Sequence, residues 1–455
     1  MASQLSSDVL IVGGGPGGVS TAFTLGTLGI STILIDKKPM EEIGEKVCGD
    51  ALSPDYFNEA NREVGLPVPE KEKGELMEVV TETVLLGTNQ TSKLVLEDGS
   101  ATVDRLKYGQ KLIKSLSQFP NVEVIADMRA NKTIVENNTL VGLLCKNKNN
   151  EYIEFRAKVV VDASGTGGIV RRLLPTEMIG NRFPQRLPRH ELIVAYRDII
   201  RVKKEHPYQN GMYLVYEPEI AHVMPGYYWY FSRGDNELNI GLGYMMYERN
   251  RGKNIKEINK QVRDRKFPDA EIITSQGDLI PARLPLPSCV HNGFLTTGDA
   301  AALANPLNGE GHGVALIAGI IAGRCLAKAI RNGDTSEKGL WDYNRQIWSK
   351  YGLINAWGVS FIKFINKWGF KTFDWMLDKK ILRQDDIIKM NSDPNADLSL
   401  LSRALKGWRR PRTLLSLRKT LKLARDIQYL GINYPEPENF DEWVEELDKL
   451  VAIVI

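Results

Sequence analysis

Residues 8–18 read D-V-L-I-V-G-G-G-P-G-G, and this stretch decides the fold. Val9–Val12 is a short continuous apolar run, the pattern of a strand buried on both faces in a parallel sheet. Gly13, Gly15 and Gly18 follow in GxGxxG spacing and open a helical stretch, VSTAFTLGTLG. A second apolar run, Thr32–Ile35, ends on Asp36, 23 residues after Gly13. Each piece has a task in holding a dinucleotide. Gly13 permits the tight turn, Gly15 lets the backbone approach a pyrophosphate, and Gly18 lets the helix pack close to the strand. The helix N-terminus offers free N–H groups and a positive dipole end to the phosphates, while Asp36 accepts from ribose hydroxyls. Pro16, Gly17 and Lys37 complete the expected contact set.

Length and composition bound the rest. A chain of 455 residues suggests about three domains. Hydrophobic residues at 43%, charged residues at 25% and a net charge of +3 exclude a disordered or collagen-like chain and a global nucleic-acid surface. Cys48, Cys145, Cys289 and Cys325 lie far apart without any CxxC, so no metal site, Fe–S cluster or disulfide scaffold is expected. A reduced, cytoplasmic setting fits that usage. The first apolar run enters a glycine turn instead of a cleavage site, so no signal peptide is expected. The longest strongly apolar helical stretch, Val314–Ala322, falls short of the roughly 20 residues a membrane crossing needs.

The kind of dinucleotide is decided downstream. Residues 294–319 read F-L-T-T-G-D-A-A-A-L-A-N-P-L-N-G-E-G-H-G-V-A-L-I-A-G. An apolar strand ends at Gly298 and Asp299, a loop follows at Pro306, and Gly309, Gly311, His312 and Gly313 open a long small-residue helix. A strand-end carboxylate suits a ribityl hydroxyl, and a glycine-opened helix suits the anionic edge of a reduced flavin. A nicotinamide enzyme needs no such second element, so the expected cofactor is FAD. The pairing resembles the FAD-binding fold of the para-hydroxybenzoate hydroxylase superfamily, whose second fingerprint is Gly-Asp followed by N-P-x-x-G-x-G. V-V-D-A-S-G-T-G-G-I-V-R-R at 160–172 resembles that superfamily's short strand–turn motif and adds Asp162. Arg105, in T-V-D-R-L, sits where the superfamily places an FAD-contacting arginine, and Ala126 joins the expected cofactor contacts.

The order of these motifs implies an α/β architecture with an interrupted cofactor domain. Segments 1–75, 100–180 and 285–330 carry a Rossmann-like FAD-binding domain. Segments 76–99 and 181–284 show strand-like alternation (LMEVVTETVLL, KLVLE, ELIVAYRDII, MYLVYE, LNIGLGYMMY), which suits an antiparallel-sheet substrate cap. A C-terminal helical region, 331–455, follows.

The substrate side is apolar and aromatic. In P-G-Y-Y-W-Y-F (225–231), Tyr227, Trp229 and Phe231 share one strand face and Tyr228 and Tyr230 the other. From Trp341 to Trp375 there are eleven aromatics, where the overall 8% gives about three. Singly these read as core. Together they suit an apolar tunnel, with Tyr227, Trp229, Phe231 and Trp357 as its expected lining. E-K-V-C-G-D-A-L (Glu45–Leu52) and G-Y-x-W-x-F from Gly226 resemble the geranylgeranyl reductase family, specifically the archaeal-type digeranylgeranylglycerophospholipid reductases. The resemblance spans about residues 1–330; the family motif commonly ends in proline where this chain has Ser232. It implies saturation of isoprenoid double bonds in membrane ether lipids, and it places Cys48, Gly49 and Ala51 beside the flavin.

An isolated trisubstituted alkene has no carbonyl to polarise it, so hydride addition from flavin N5 must be matched by a proton at the neighbouring carbon. Aromatic faces stabilise the developing positive charge, and Tyr227 and Trp229 are expected to do so. Cys48 and His312 are the candidate proton donors. There is no second GxGxxG-with-acid unit and no Fe–S ligand set, so electrons are expected from an external donor: NADPH, a ferredoxin or a quinol. The same fold also suits a flavin-dependent hydroxylase or an electron-transfer flavoprotein serving quinone. Finally, residues 403–425 hold nine Lys/Arg and no Asp/Glu, with Leu414, Leu417, Leu421 and Ala424 at helical spacing. That pattern suits either a basic amphipathic helix, peripheral on the cytoplasmic membrane face, or a solvated helix packed on the domain.

Overall fold

The computed structural model of the protein describes residues 3–80, 82–96, 99–383, 386 and 405–454. Thr81, Glu97 and Asp98 of the cap segment, and Arg403 and Ala404 of the basic segment, lie outside the described residues. The apolar run Val9–Val12 is buried and central. Its strand, Ser3–Val12, pairs in parallel with Tyr152–Asp162 on one side and Thr32–Ile35 on the other, so Val12 stands opposite both Asp162 and Ile35. Val122–Ile125 and Phe294–Thr296 extend the parallel sheet at its two sides. Met128–Glu136 and Thr139–Asn147 add an antiparallel flap to Tyr152–Asp162. A strand covered on both faces needs no polar alternation, which is why this segment reads as a continuous apolar run.

Two helices follow from the two glycine motifs. Pro16–Thr27 and His312–Asn332 pack side by side and run parallel: Gly17 lies against Ala315, Ser20 against Gly319 and Thr24 against Gly323. Their N-termini therefore share one end of the sheet. His312–Asn332 is long and apolar enough for a membrane span, yet 78% of its most apolar window is buried inside the protein. It is a core helix.

The cap is a seven-stranded sheet in the order Glu271–Pro281, Leu192–Arg201, Glu237–Met245, Gly226–Ser232, Met212–Val215, Thr83–Leu86, Lys93–Leu96. All neighbours are antiparallel except Met212–Val215 with Thr83–Leu86. Leu76–Val80 departs from the expected cap pattern. It pairs instead with Ser100–Val103, which also holds Ala51–Leu52, in a small three-stranded sheet. Along Gly226–Ser232 the alternation works as its sequence requires. Tyr228 and Tyr230 pack with Ile258 and Val262 of the outer helix Ile255–Lys266, whereas Trp229 and Phe231 pack with Ala195, Met212 and Val80 on the opposite face.

The C-terminal helices bind the cap to the cofactor domain. Asn355, in Leu353–Trp368, donates to the Arg283 and Ala304 carbonyls at 3.1 and 3.3 Å. Asp374, in Phe370–Asp378, accepts from Thr88 N at 2.9 Å in the cap hairpin. The aromatic excess is mostly spent on this packing. Trp341, Tyr343, Trp348, Tyr351, Trp357, Phe361, Phe364 and Phe373 are buried in the main core, so the density of rings marks helix packing and not an open tunnel. In helix Pro411–Ile432, Leu417, Leu421 and Ala424 are buried against the protein, so of the two readings of its apolar stripe the structure has the helix packed on the domain.

Candidate functional site

The glycine turn is held by close backbone contact. A Cβ on Gly18 would lie 1.9 Å from the Gly13 carbonyl oxygen, and Gly13 itself has φ +110° with Ala163 O 2.4 Å from its Cβ position. Gly15 is different. Its backbone conformation is open to any residue, and a Cβ there meets nothing within 4 Å. It caps the helix Pro16–Thr27, which has no side-chain cap, so the first N–H groups face open space at a positive helix end. Asp36 accepts from Gly14 N at 2.7 Å and Lys38 N at 2.9 Å, and each carboxylate oxygen keeps a lone pair for a ribose hydroxyl. Gly17 packs on Thr297 and Ala315, Lys37 is exposed, and Ala126 follows the strand whose Ile125 carbonyl takes the Asp36 N–H.

Asp162 is a correction. It is fully buried, and its carboxylate accepts from Ser164 N and Oγ and from Arg171 N at 3.1, 2.5 and 2.9 Å. Those donors hold the following turn, so Asp162 is a structural clamp and not a cofactor ligand.

The second glycine motif brings the other helix end to the same place. Gly298 and Asp299 form a short turn after Phe294–Thr296, and the loop through Pro306 and Gly309 leads to Gly311 and His312. Asp299 is ion-paired with Lys46, a residue the sequence reading passed over. Burial opposes the Lys46 charge, but Asp299 outweighs it and raises the ammonium pKa. A Cβ on Gly311 would meet Asp299 Oδ1 at 2.9 Å, and one on Gly313 would strike the Tyr56 ring. His312 is buried, and its Nδ1 has no partner among the described residues. Burial, reinforced by the charges of Arg105 and Lys46, holds its pKa well below the usual histidine range.

Cys48 lies in the turn that enters this site. Arg105 Nη1 donates to its sulfur at 2.9 Å and Asp50 N at 3.1 Å, while Asp50 Oδ1 is 3.5 Å away. Cys145, Cys289 and Cys325 are buried, with thiols pushed up to about 12 by desolvation, so Cys48 is the chemically accessible thiol among the described residues. The aromatic wall closes on this turn. A Cβ on Gly49 would lie 2.8 Å from the Phe231 ring and 3.7 Å from Trp229 Nε1. Tyr227 donates to the Asn308 carbonyl at 2.6 Å, so the wall also touches the loop between Pro306 and Gly309. Gly358, beside Trp357, packs on Pro306 of that same loop. Trp357 itself belongs to the main core and is 2% exposed, so it supports the loop from within the helical region.

Asn239 organises the contact, and sequence reasoning missed it. Fully buried, it accepts from Trp229 Nε1 at 2.9 Å and donates to the Cys48 carbonyl and Asp50 Oδ2, both at 3.0 Å. Arg233 neutralises Asp50 in a buried ion pair. No local pattern announces residues 50, 233 and 239 as partners: the hairpin of Gly226–Ser232 and Glu237–Met245 sets Arg233 near Asn239, and Asp50 meets both from a distant part of the chain. The arrangement has two parallel helix ends, open space over Gly15 and an unpartnered buried imidazole nitrogen, and these fit FAD.

A family model described as FAD dependent oxidoreductase matches residues 8–173. A digeranylgeranylglycerophospholipid reductase from Sulfolobus acidocaldarius is 30% identical over 99% of this chain and 98% of its own length. Digeranylgeranylglycerophospholipid reductase 1 of Methanococcoides burtonii is 27% identical over 76% of this chain and 80% of its own. A crystal structure of a geranylgeranyl bacteriochlorophyll reductase-like protein from Thermoplasma acidophilum shares the fold, with TM-score 0.75 at 21% identity, covering 92% of this chain and all of that one. The protein is thus an FAD-binding oxidoreductase, and the chain belongs to the digeranylgeranylglycerophospholipid reductase family.

Proposed function

We propose that this protein saturates isolated C=C bonds of geranylgeranyl chains in glycerophospholipids, in membrane lipid biosynthesis. The observation that carries the reading is the aromatic wall of Tyr227, Trp229 and Phe231, pressed on the Cys48–Gly49 turn and bonded to the Asn305–Gly311 loop. When bound, reduced FAD supplies the hydride. The Tyr227 and Trp229 rings, 6.3 Å apart, offer π faces to positive charge developing on the more substituted carbon, about 1–2 kcal/mol each when desolvated. Cys48 gives its thiol proton to the adjacent, less substituted carbon, the S–H bond breaking as that C–H bond forms, while the more substituted carbon takes the hydride. Arg105 Nη1 and Asp50 N then stabilise the sulfur anion until solvent reprotonates it. The unpartnered Nδ1 of His312 would offer a hydrogen bond to the cofactor when it is bound. Reducing equivalents enter from an external donor of the NADPH, ferredoxin or quinol type. The test is anaerobic: reduced holoprotein is mixed with geranylgeranyl lipid, flavin reoxidation is followed, and the product mass is measured.

We further propose peripheral attachment to an anionic membrane face on the cytoplasmic side. The outward stripe of helix Pro411–Ile432 carries Arg412, Leu415, Arg418, Lys419, Lys422 and Tyr429, with Trp408 just ahead of it at 68% exposure. Arg409, Arg410 and Arg412 edge a cleft of about 410 Å³ beside Trp368. Each basic residue near such a surface is worth about 1 kcal/mol, and exposed Trp and Tyr suit the headgroup level. Co-sedimentation with anionic vesicles is expected to fall at least tenfold when Trp408→Ser is combined with Arg418→Gln and Lys419→Gln; unchanged binding contradicts the attachment.

A further inference from the structure

A buried arginine on the wall that faces the flavin site has no assigned task. Arg197 is 5% exposed, yet its Nε and Nη1 have no partner among the described residues. Its one hydrogen bond runs from Nη2 to Gln276 Oε1 at 3.3 Å, and Glu45 is reached only through Gln276, whose Nε2 donates to it at 3.2 Å. Among the described residues no carboxylate pairs with Arg197 directly, whereas buried Arg233 is matched by Asp50. A desolvated guanidinium without a counter-charge is costly, and its fork of donors suits an oxyanion.

The register tells what arrives there. Gln276, Arg197, Gly241 and Trp229 stand opposite one another in one row across four cap strands. Gly241 lets the Trp229 indole lean across its strand towards Arg197: a Cβ there would lie 2.5 Å from Trp229 Cζ2 and 2.9 Å from Arg197 Cα. Arg197 also shares its face with Ala195, which packs with Trp229 and Phe231. It stands two strands from the proposed alkene wall, about 10 Å away. The charge belongs to the cap and not to the cofactor domain, where two helix N-termini suit the cofactor's negative groups.

We propose that Arg197 binds the phosphate of the isoprenoid lipid and so sets which double bonds reach Trp229. This rests on the functional reading above. The shared chemistry is an oxyanion, and the reduced flavin is the other source to be separated from it. Equilibrium binding of geranylgeranyl diphosphate and of geranylgeraniol, both in neutral detergent, is measured on oxidised holoprotein. Wild type is expected to bind the diphosphate at least tenfold more tightly than the alcohol. Arg197→Gln and the similarly long Arg197→Met are expected to remove that preference while leaving alcohol binding and FAD content unchanged, and Arg197→Lys restores part of it. The assignment is overturned if wild type shows no preference, if both ligands weaken together, or if lipid binding stays constant while the flavin midpoint potential shifts. A wild type that prefers the diphosphate but never reoxidises with any geranylgeranyl lipid leaves the Arg197 site standing and refutes the reductase reading.

Discussion

Gly15→Val is expected to yield a folded, colourless protein. A Cβ at Gly15 would meet no protein atom within 4 Å, and the backbone angles there suit any residue, so the apoprotein keeps its fold. The same side chain fills the space over the first N–H groups of helix Pro16–Thr27, where a pyrophosphate would sit. FAD occupancy should drop by more than about tenfold. The stabilisation that ligand binding confers, about 2.7 kcal/mol at a hundredfold excess over Kd, should vanish with it. The check is the flavin-to-protein absorbance ratio together with melting in the presence and absence of added FAD. Gly18→Val provides the contrast: its Cβ runs into the Gly13 carbonyl, so that variant should lose fold and cofactor together. A Gly15→Val protein that keeps its flavin would mean that the pyrophosphate does not lie against this turn.

Asn239→Leu carries the second large effect. Leucine keeps the branching at Cγ, though it is larger, and leaves the Trp229 indole N–H and the Cys48 carbonyl buried without their partner, at about 1–3 kcal/mol each. Asp50 keeps Arg233, so the turn stays folded while its fit to the aromatic wall loosens. Alkene reduction should slow by about a hundredfold with FAD still bound, because small misplacements at the reacting centre are costly. Asn239→Asp should be worse still: it keeps an acceptor for Trp229 but sets a second carboxylate against Asp50. Cys48→Ser tests the proton separately, since it slows reduction without moving Trp229. An Asn239→Leu enzyme that turns over at the wild-type rate would dissociate this network from catalysis.

What the sequence disclosed was what depends on neighbours in the chain. The strand–turn–helix at residues 8–18 and the in–out alternation of Tyr227 to Phe231 are local patterns, and both stand in the structure as read. Asp162 was misleading for a physical reason. A carboxylate at a strand end looks the same whether it faces a ligand or clamps its own turn, and only the Ser164 and Arg171 bonds distinguish the two. The stripe of Leu417, Leu421 and Ala424 was ambiguous in the same way, since helical amphipathicity serves a protein core as well as a lipid surface. Asn239, Asp50, Lys46 and Arg197 were silent because their roles arise from strand register and from contacts spanning up to about 250 residues.

An apolar wall against the flavin turn that is built to reduce an unactivated alkene must let the lipid itself reoxidise the flavin. Anaerobic reoxidation of the reduced holoprotein by a geranylgeranyl glycerophospholipid, with mass spectrometry of the product, tests it most directly. Reoxidation is expected to depend on the lipid, and the product to gain two hydrogens per flavin reoxidised. That expectation is contradicted if the flavin stays reduced with lipid and reoxidises only with quinone, or if reoxidation requires dioxygen and the lipid gains oxygen instead of hydrogen.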